Sequence, residues 1–166
     1  VGVITQTLYG YHRFQLDVYV RSLLVVDLLR FSYLIVAALF FHYIINNRYI
    51  AYFAFIVFNV ANTFLWSALE VSTNLVRYAH LPDITYSDMN GFGPFVGGTI
   101  WFNVYWALMA SLVGFIIFAF YIRGRELDMR TRWHDATMHL KRNLVAITAT
   151  GILFVTCSGF MYYNTK

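Results

Sequence analysis

The chain has 166 residues, of which 60 % are apolar, 20 % aromatic and only 12 % charged, with a net charge of +4. A soluble domain carries roughly 25 % charged residues, and a small fold keeps too much surface to hide such an apolar excess from water. The composition excludes an ordinary soluble domain and makes lipid the expected solvent. The lone cysteine, Cys157, lies in an apolar run. It excludes an intrachain disulfide and a cysteine metal site, and reads as a small buried apolar residue. The chain starts at Val1 without the basic, apolar and small-residue order of a signal peptide. It ends at Asn164-Thr165-Lys166 directly after an apolar run, so a segment of a longer protein is expected.

The first predicted span is Leu23 to Ile45, in a helix starting near Arg13. Asp27 and Arg30 are three apart and share a helical face, and upstream Asp17 and Arg21 repeat the pattern at a spacing of four. Charges in a span are costly unless they face protein or the interface. These four residues are therefore candidates for a polar seam against further helices. Asn46-Asn47-Arg48 forms a polar turn, and the second span runs from Tyr49 to Leu69. Asn59, Asn62 and Ser67 interrupt it, and such groups usually bond across to neighbouring helices.

A connection from Glu70 to Thr99 follows and holds both prolines, Pro82 and Pro94. A loop this long is uncommon unless functional or disordered. Its apolar and aromatic residues, Tyr78, Leu81, Ile84, Tyr86, Phe92, Phe95 and Val96, argue against disorder. A loop that folds onto the membrane surface or re-enters it is expected. The third span is Ile100 to Ile122, with Trp101, Tyr105 and Trp106 at one end and Tyr121 at the other, as in an interfacial aromatic belt. Ala107, Ser111 and Gly114 form a small-residue stripe suited to close helix packing.

Residues 123–143 are the most polar stretch. Glu126–Arg130 and Asp128–Arg132 are helix-supporting pairs, and Met129, Trp133, Ala136 and Leu140 fall on one face. An amphipathic helix lying on the membrane is expected. The fourth span is Leu144 to Tyr163. The predicted fold class is thus all-α integral membrane, a single domain over residues 1–166. It has spans of about 23–45, 49–69, 100–122 and 144–163, a folded or re-entrant outer loop between spans two and three, and an interfacial helix between spans three and four.

The basic residues orient it. Arg123, Arg125, Arg130, Arg132, Lys141 and Arg142 crowd one short juxtamembrane loop, with Arg48 on the same side. Short basic loops stay in the cytoplasm. This places 123–143 inside, and the 70–99 loop and both chain ends outside. The same placement explains the net charge by topology, without a nucleic-acid partner.

Chemical motifs are sparse. Haem between helices needs facing histidines at similar depth, and of His12, His42, His80, His134 and His139 only His42 lies in a span. His134 and His139, five apart, do not align as helical ligands. His80, Asp83 and Asp88 form at most a weak cation candidate. Asp88-Met89-Asn90-Gly91 suits an Asx-type turn. Zinc-protease, hydrolase and phosphate-loop signatures are absent, so neither an enzyme nor a cofactor is expected within this chain.

The run Tyr86-Ser87-Asp88-Met89-Asn90-Gly91-Phe92-Gly93 carries a family resemblance. Arg77-Tyr78 precede it, and Trp101-Phe102, Tyr105-Trp106, Arg123-Gly124 with Glu126, a basic stretch and Asn164-Thr165 follow in order. Over most of its length the chain resembles the membrane portion of bacterial proteins in which an ABC-2-type permease is joined to a zinc aminopeptidase of the membrane alanyl aminopeptidase kind. The resemblance implies a multi-pass protein of the bacterial inner membrane, with an ABC ATPase as partner beside the bilayer and the remaining helices of the same protein. The first three spans would close the second permease half, with the folded outer loop before its last span. The fourth span would tether a periplasmic peptidase after Lys166. Its zinc site, and any metallopeptidase activity, would belong to that domain and not to this chain. The candidate functional residues are Arg77, Tyr78, Tyr86, Ser87, Asp88, Asn90, Gly91 and Gly93 of the outer loop. The alternatives are a non-transporting anchor for a peptidase and a membrane enzyme acting on lipid or quinone. The second would need a polar cluster at one depth, which the sequence does not display.

Overall fold

The computed structural model describes residues 5, 7–10, 27–71, 75–82, 93–121 and 129–164. Its elements are the helices α1 (Leu28–Ile44), α2 (Arg48–Ala68), α3 (Gly93–Phe120), α4 (Met129–Arg142) and α5 (Leu144–Asn164), and no strand occurs among the described residues. Three stretches are long and apolar enough to cross a membrane: Arg48–Trp66, Val96–Phe120 and Leu144–Asn164. Helix α1, at 17 residues, is apolar but shorter.

The helix ends have local causes. Asn47 accepts the Tyr49 N–H at 2.9 Å through Oδ1, satisfying one donor that the start of α2 leaves open. Beyond α2, the Val71 N–H reaches the Trp66 carbonyl at 3.0 Å while Glu70 sits at φ 54°. This is a Schellman arrangement, whose left-handed position favours glycine. Helix α3 begins at Gly93 rather than Ile100, so residues 93–99 extend the helix instead of ending the loop. Pro94 falls in the first turn, where its missing N–H has no intrahelical acceptor to lose. Within α5, Thr150, Thr156 and Ser158 donate to carbonyls four residues back, at 2.8, 3.0 and 2.7 Å. Their hydroxyls are satisfied without a neighbouring helix, which an apolar solvent requires.

Helix α3 is central. It packs against α1, α5 and α4, whereas α2, among the described helices, packs on α1 alone. In the α1–α2 hairpin, Phe41 meets Phe55 and Phe58 with ring centroids 6.4 and 5.5 Å apart. Helix α5 runs back along α3, with Trp101 against Phe160 at 4.7 Å and Tyr105 stacked on Phe154 at 5.1 Å. One apolar cluster lies where α3 begins. There Tyr33, Phe102, Tyr105, Trp106, Cys157 and Met161 are buried with Ala79 and Leu81 of the connection between α2 and α3. A smaller one lies at the opposite end, where Ala119 and Phe120 meet Ala136 of α4, with Leu140 against them.

That second cluster uses the predicted face of α4. Trp133 sets its ring edge-on to Phe120 at 5.1 Å, and only the backbone of Met129 is described. Glu126 and Asp128, the acidic halves of the expected pairs, lie outside the described residues. Arg132 donates to the Tyr43 carbonyl, placing a cation at the negative end of α1.

Two packing expectations are corrected. Ala107 and Ser111 are exposed, the Ser111 hydroxyl donates to the Ala107 carbonyl at 2.8 Å, and a Cβ on Gly114 would meet nothing within 4 Å. The small-residue stripe therefore faces none of the described helices, and α3 meets its neighbours through large aromatic rings. Tyr105 and Trp106 are not a belt at the surface: they are 9 % and 3 % exposed, because α3 starts earlier and carries them into the core.

Glu70 is exposed, so replacing it leaves no cavity. Glu70→Gly removes the side-chain penalty of the left-handed position and should stabilise the protein by about 0.5–1 kcal/mol, read as a higher midpoint of unfolding in detergent. An unchanged or lower midpoint would refute the turn geometry.

Candidate functional site

The Glu70–Thr99 connection begins by folding back into the bundle. Its described segment, residues 75–82, is held through its backbone by side chains of two helices. Asn62 of α2 donates its Nδ2 to the Tyr78 carbonyl at 3.1 Å, and its Oδ1 accepts the Tyr78 N–H at 2.9 Å. A carboxamide matches a peptide group in both donor and acceptor, so one side chain satisfies a whole residue of backbone. The same Oδ1 accepts the Trp66 Nε1–H at 3.3 Å. From α3, the Tyr105 hydroxyl donates to the Leu75 carbonyl at 3.1 Å and the Trp106 indole N–H to the His80 carbonyl at 3.0 Å. Buried peptide groups without such partners cost about 1–3 kcal/mol each.

The segment also holds the helices. The Tyr78 hydroxyl donates to the Tyr33 carbonyl of α1 at 2.8 Å, and the Tyr33 hydroxyl donates to the Asn103 carbonyl of α3 at 3.0 Å. Asn103 is itself oriented by donating Nδ2 to the Thr99 carbonyl at 2.9 Å. The Tyr78 ring stands edge-on to Phe58 of α2 at 5.7 Å and to Trp106 of α3 at 5.3 Å. Burial, with the nearby Tyr33 phenol adding, pushes the Tyr78 phenol up to about 12 from its ordinary 10. The neutral phenol is the docked form, so its contribution is whole below pH 10 and is lost as the pH rises towards 12. Between Tyr78 and His80 the chain reverses, the His80 N–H bonding the Arg77 carbonyl at 3.1 Å with Ala79 at φ 56°. A left-handed alanine is strained by roughly 1–2 kcal/mol, and Ala79 is only 1 % exposed, so the surrounding contacts hold the turn.

Among the described helices α2 lies close to α1 alone, and a cleft of about 560 Å³ opens between α2 and the α3–α5 pair. Phe58, Ala61, Asn62, Leu65 and Trp66 form one wall, Tyr105, Trp106, Met109 and Phe154 the other, and Leu75, Val76 and Tyr78 close one end.

The expected site residues distribute unevenly. Arg77 and Tyr78 sit in the docked segment, half-buried. Tyr86, Ser87, Asp88, Asn90 and Gly91 lie outside the described residues, and of Gly93 only the backbone, in the first turn of α3, is described. Asp17 and Arg21 also lie outside them; Asp27 flanks the start of α1 half-buried and Arg30 is exposed. His80 is described but Asp83 and Asp88 are not, and no group of three metal-ligating side chains occurs among the described residues. Asn59 bonds the Phe55 carbonyl of its own helix at 3.0 Å and Asn62 bonds a loop, so among the described residues neither shows the expected bond to a neighbouring helix. Only the backbone of Ser67 is described. The sequence reading missed Tyr33 and Asn103; a tyrosine and an asparagine inside apolar runs are the signal that could have found them. Comparison with protein-family models, curated proteins and solved structures finds no match in any of the three.

Asn62→Leu keeps the volume of α2 but orphans the Tyr78 N–H and carbonyl. It should cost about 2–4 kcal/mol and abolish hydrogen-exchange protection at residues 75–80 while leaving α4 protected. Protection that survives at 75–80 would show that Asn62 is dispensable. Trp106→Phe, which loses one donor and replaces the buried indole by a smaller ring, should cost about 2–4 kcal/mol and expose mainly His80 and Leu81 to exchange.

Proposed function

We propose that this chain is the permease-type transmembrane part of an ABC-2-like transporter that is fused to a periplasmic zinc aminopeptidase. The observation that carries the reading is the docked segment 75–82. Side chains of α2 and α3 hold it by its backbone, directly before the run from Tyr86 to Gly93 that resembles the outer loop of those permeases. A loop seated this way presents the following residues from a fixed base, which suits a folded element before the last span of a permease half.

In this reading α1, α2 and α3 are the closing spans and α5 is the tether. The 17 residues of α1 are at the short end of what a span requires. In the same reading the segment re-enters the bilayer edge, which is supported by the position of its partner Asn62, roughly 9 Å along the helix axis from Ala68, where α2 ends. Arg48, Arg130, Lys141 and Arg142 are exposed at the opposite end, which faces the cytoplasm of a bacterial inner membrane. The partner at that face is an ABC ATPase, and the zinc belongs to the peptidase beyond this chain.

Topology is testable because the single native cysteine is buried. Glu70→Cys, exposed just beyond the end of α2, should react with a membrane-impermeant maleimide in intact spheroplasts, and Thr137→Cys only after lysis. The reverse pattern would overturn the orientation. The fusion is tested by the residues that follow Lys166 in the full-length protein, where an H-E-x-x-H helix and a downstream glutamate are expected. Purification of the full-length protein with an ATPase subunit supports transport, whereas reproducible purification without one favours a simple peptidase anchor.

A further inference from the structure

We infer that the cleft between α2 and the α3–α5 pair is a binding site for one hydrocarbon chain of a membrane lipid. Its walls are aliphatic and aromatic from Phe58 to Met109 and Phe154, and the carboxamide of Asn62 is already engaged by Tyr78. Among the described residues no charged side chain lines it. Two of its walls belong to helices of membrane-spanning length and apolarity, α2 and α3, so the solvent at its open side is lipid. Water has few groups to bond there, and an apolar cleft left empty forfeits contacts on every wall.

Size decides the occupant. A helix about 10 Å across rises about 1.5 Å per residue, so each residue takes roughly 120 Å³. The 560 Å³ of the cleft would admit little more than one turn, which excludes a further transmembrane helix within it. At roughly 30 Å³ for a group the size of a water molecule, which a methylene also is, the same volume holds a chain of the length found in ordinary phospholipids. The chain fills the gap between α2, which among the described helices packs on α1 alone, and the α3–α5 pair, and it lies against the rings of Tyr105, Trp106 and Tyr78 that secure the outer segment. The site is thus a lipid-filled joint between α2 and the rest of the bundle, independent of whether the protein transports.

The test uses the full-length protein in native membranes fed with a phospholipid carrying a photoreactive diazirine in its acyl chain. After illumination, adducts are mapped by mass spectrometry. Adducts at Ala61, Met109 and Phe154 are expected to be several-fold denser than at Phe53 and Ile152, which are among the exposed residues of α2 and α5. Ala61→Phe, or Met109→Phe from the opposite wall, fills the cleft and should lower labelling there several-fold without changing it at Phe53 and Ile152. Equal labelling of cleft and outer face, or an unlabelled cleft beside a labelled outer face, overturns the site. The wild-type pattern alone decides between these outcomes, whether or not the filled variants fold. A cross-link from the cleft to another polypeptide would equally overturn it.

Discussion

The Asn62 carboxamide bonds both the N–H and the carbonyl of Tyr78, and much of the arrangement follows from that pairing. A connection that leaves water for apolar surroundings must find a partner for every N–H and carbonyl it brings along. A regular helix does this internally; a turn cannot. Here helix side chains supply what the turn lacks: a carboxamide, a phenol and an indole meet Tyr78, Leu75 and His80. Because these bonds go to backbone, they constrain Asn62, Tyr105 and Trp106 more tightly than most of the residues they hold. Tyr78 is the exception, since its hydroxyl and ring reach α1, α2 and α3.

The same pairing explains the shape of the bundle. Helix α2 joins the remaining helices through α1 at one turn and through the docked segment at its far end. The segment occupies the space in which α2 would otherwise meet α3, and the cleft is what remains. At the opposite end the joint is made differently. Helix α4 lies across the ends of α1 and α3, with Ala136 against Phe120 and Arg132 on the last turn of α1. One end is closed by a loop fixed through its peptide groups, the other by an amphipathic helix fixed through one apolar face and a cation. The other basic side chains of that helix, Arg130, Lys141 and Arg142, are exposed.

Both devices left marks in the sequence, of unequal clarity. The face of α4 was legible because its period is helical and its contrast with the flanking runs is large. Asn62 stood out as a polar residue in an apolar run, but its partner did not. The expectation of a helix partner follows from what membrane asparagines commonly do, whereas the nearest unsatisfied groups here are those of a turn. Tyr105 and Trp106 were misplaced for a related reason. An aromatic pair near the start of an apolar run looks like an interfacial belt unless the helix is known to begin earlier, and Gly93-Pro94 reads equally as loop or as first turn. The small-residue stripe of α3 has the composition of a packing face, but the described helices gather on the aromatic side.

By itself the sequence determined that the chain is helical, that long stretches of it suit lipid, where most helix boundaries fall, and which end carries the positive charge. These follow from composition and short periods, and they depend on local properties of the chain. Only the tertiary structure decided that residues 75–82 lie inside the bundle, that α2 stands apart from α3, and that a chain-sized cleft lies between them. Each depends on pairings between residues such as Asn62 with Tyr78 or Tyr33 with Asn103, far apart in sequence. Hydrogen-bond complementarity across such distances leaves no periodic trace for a sequence to display.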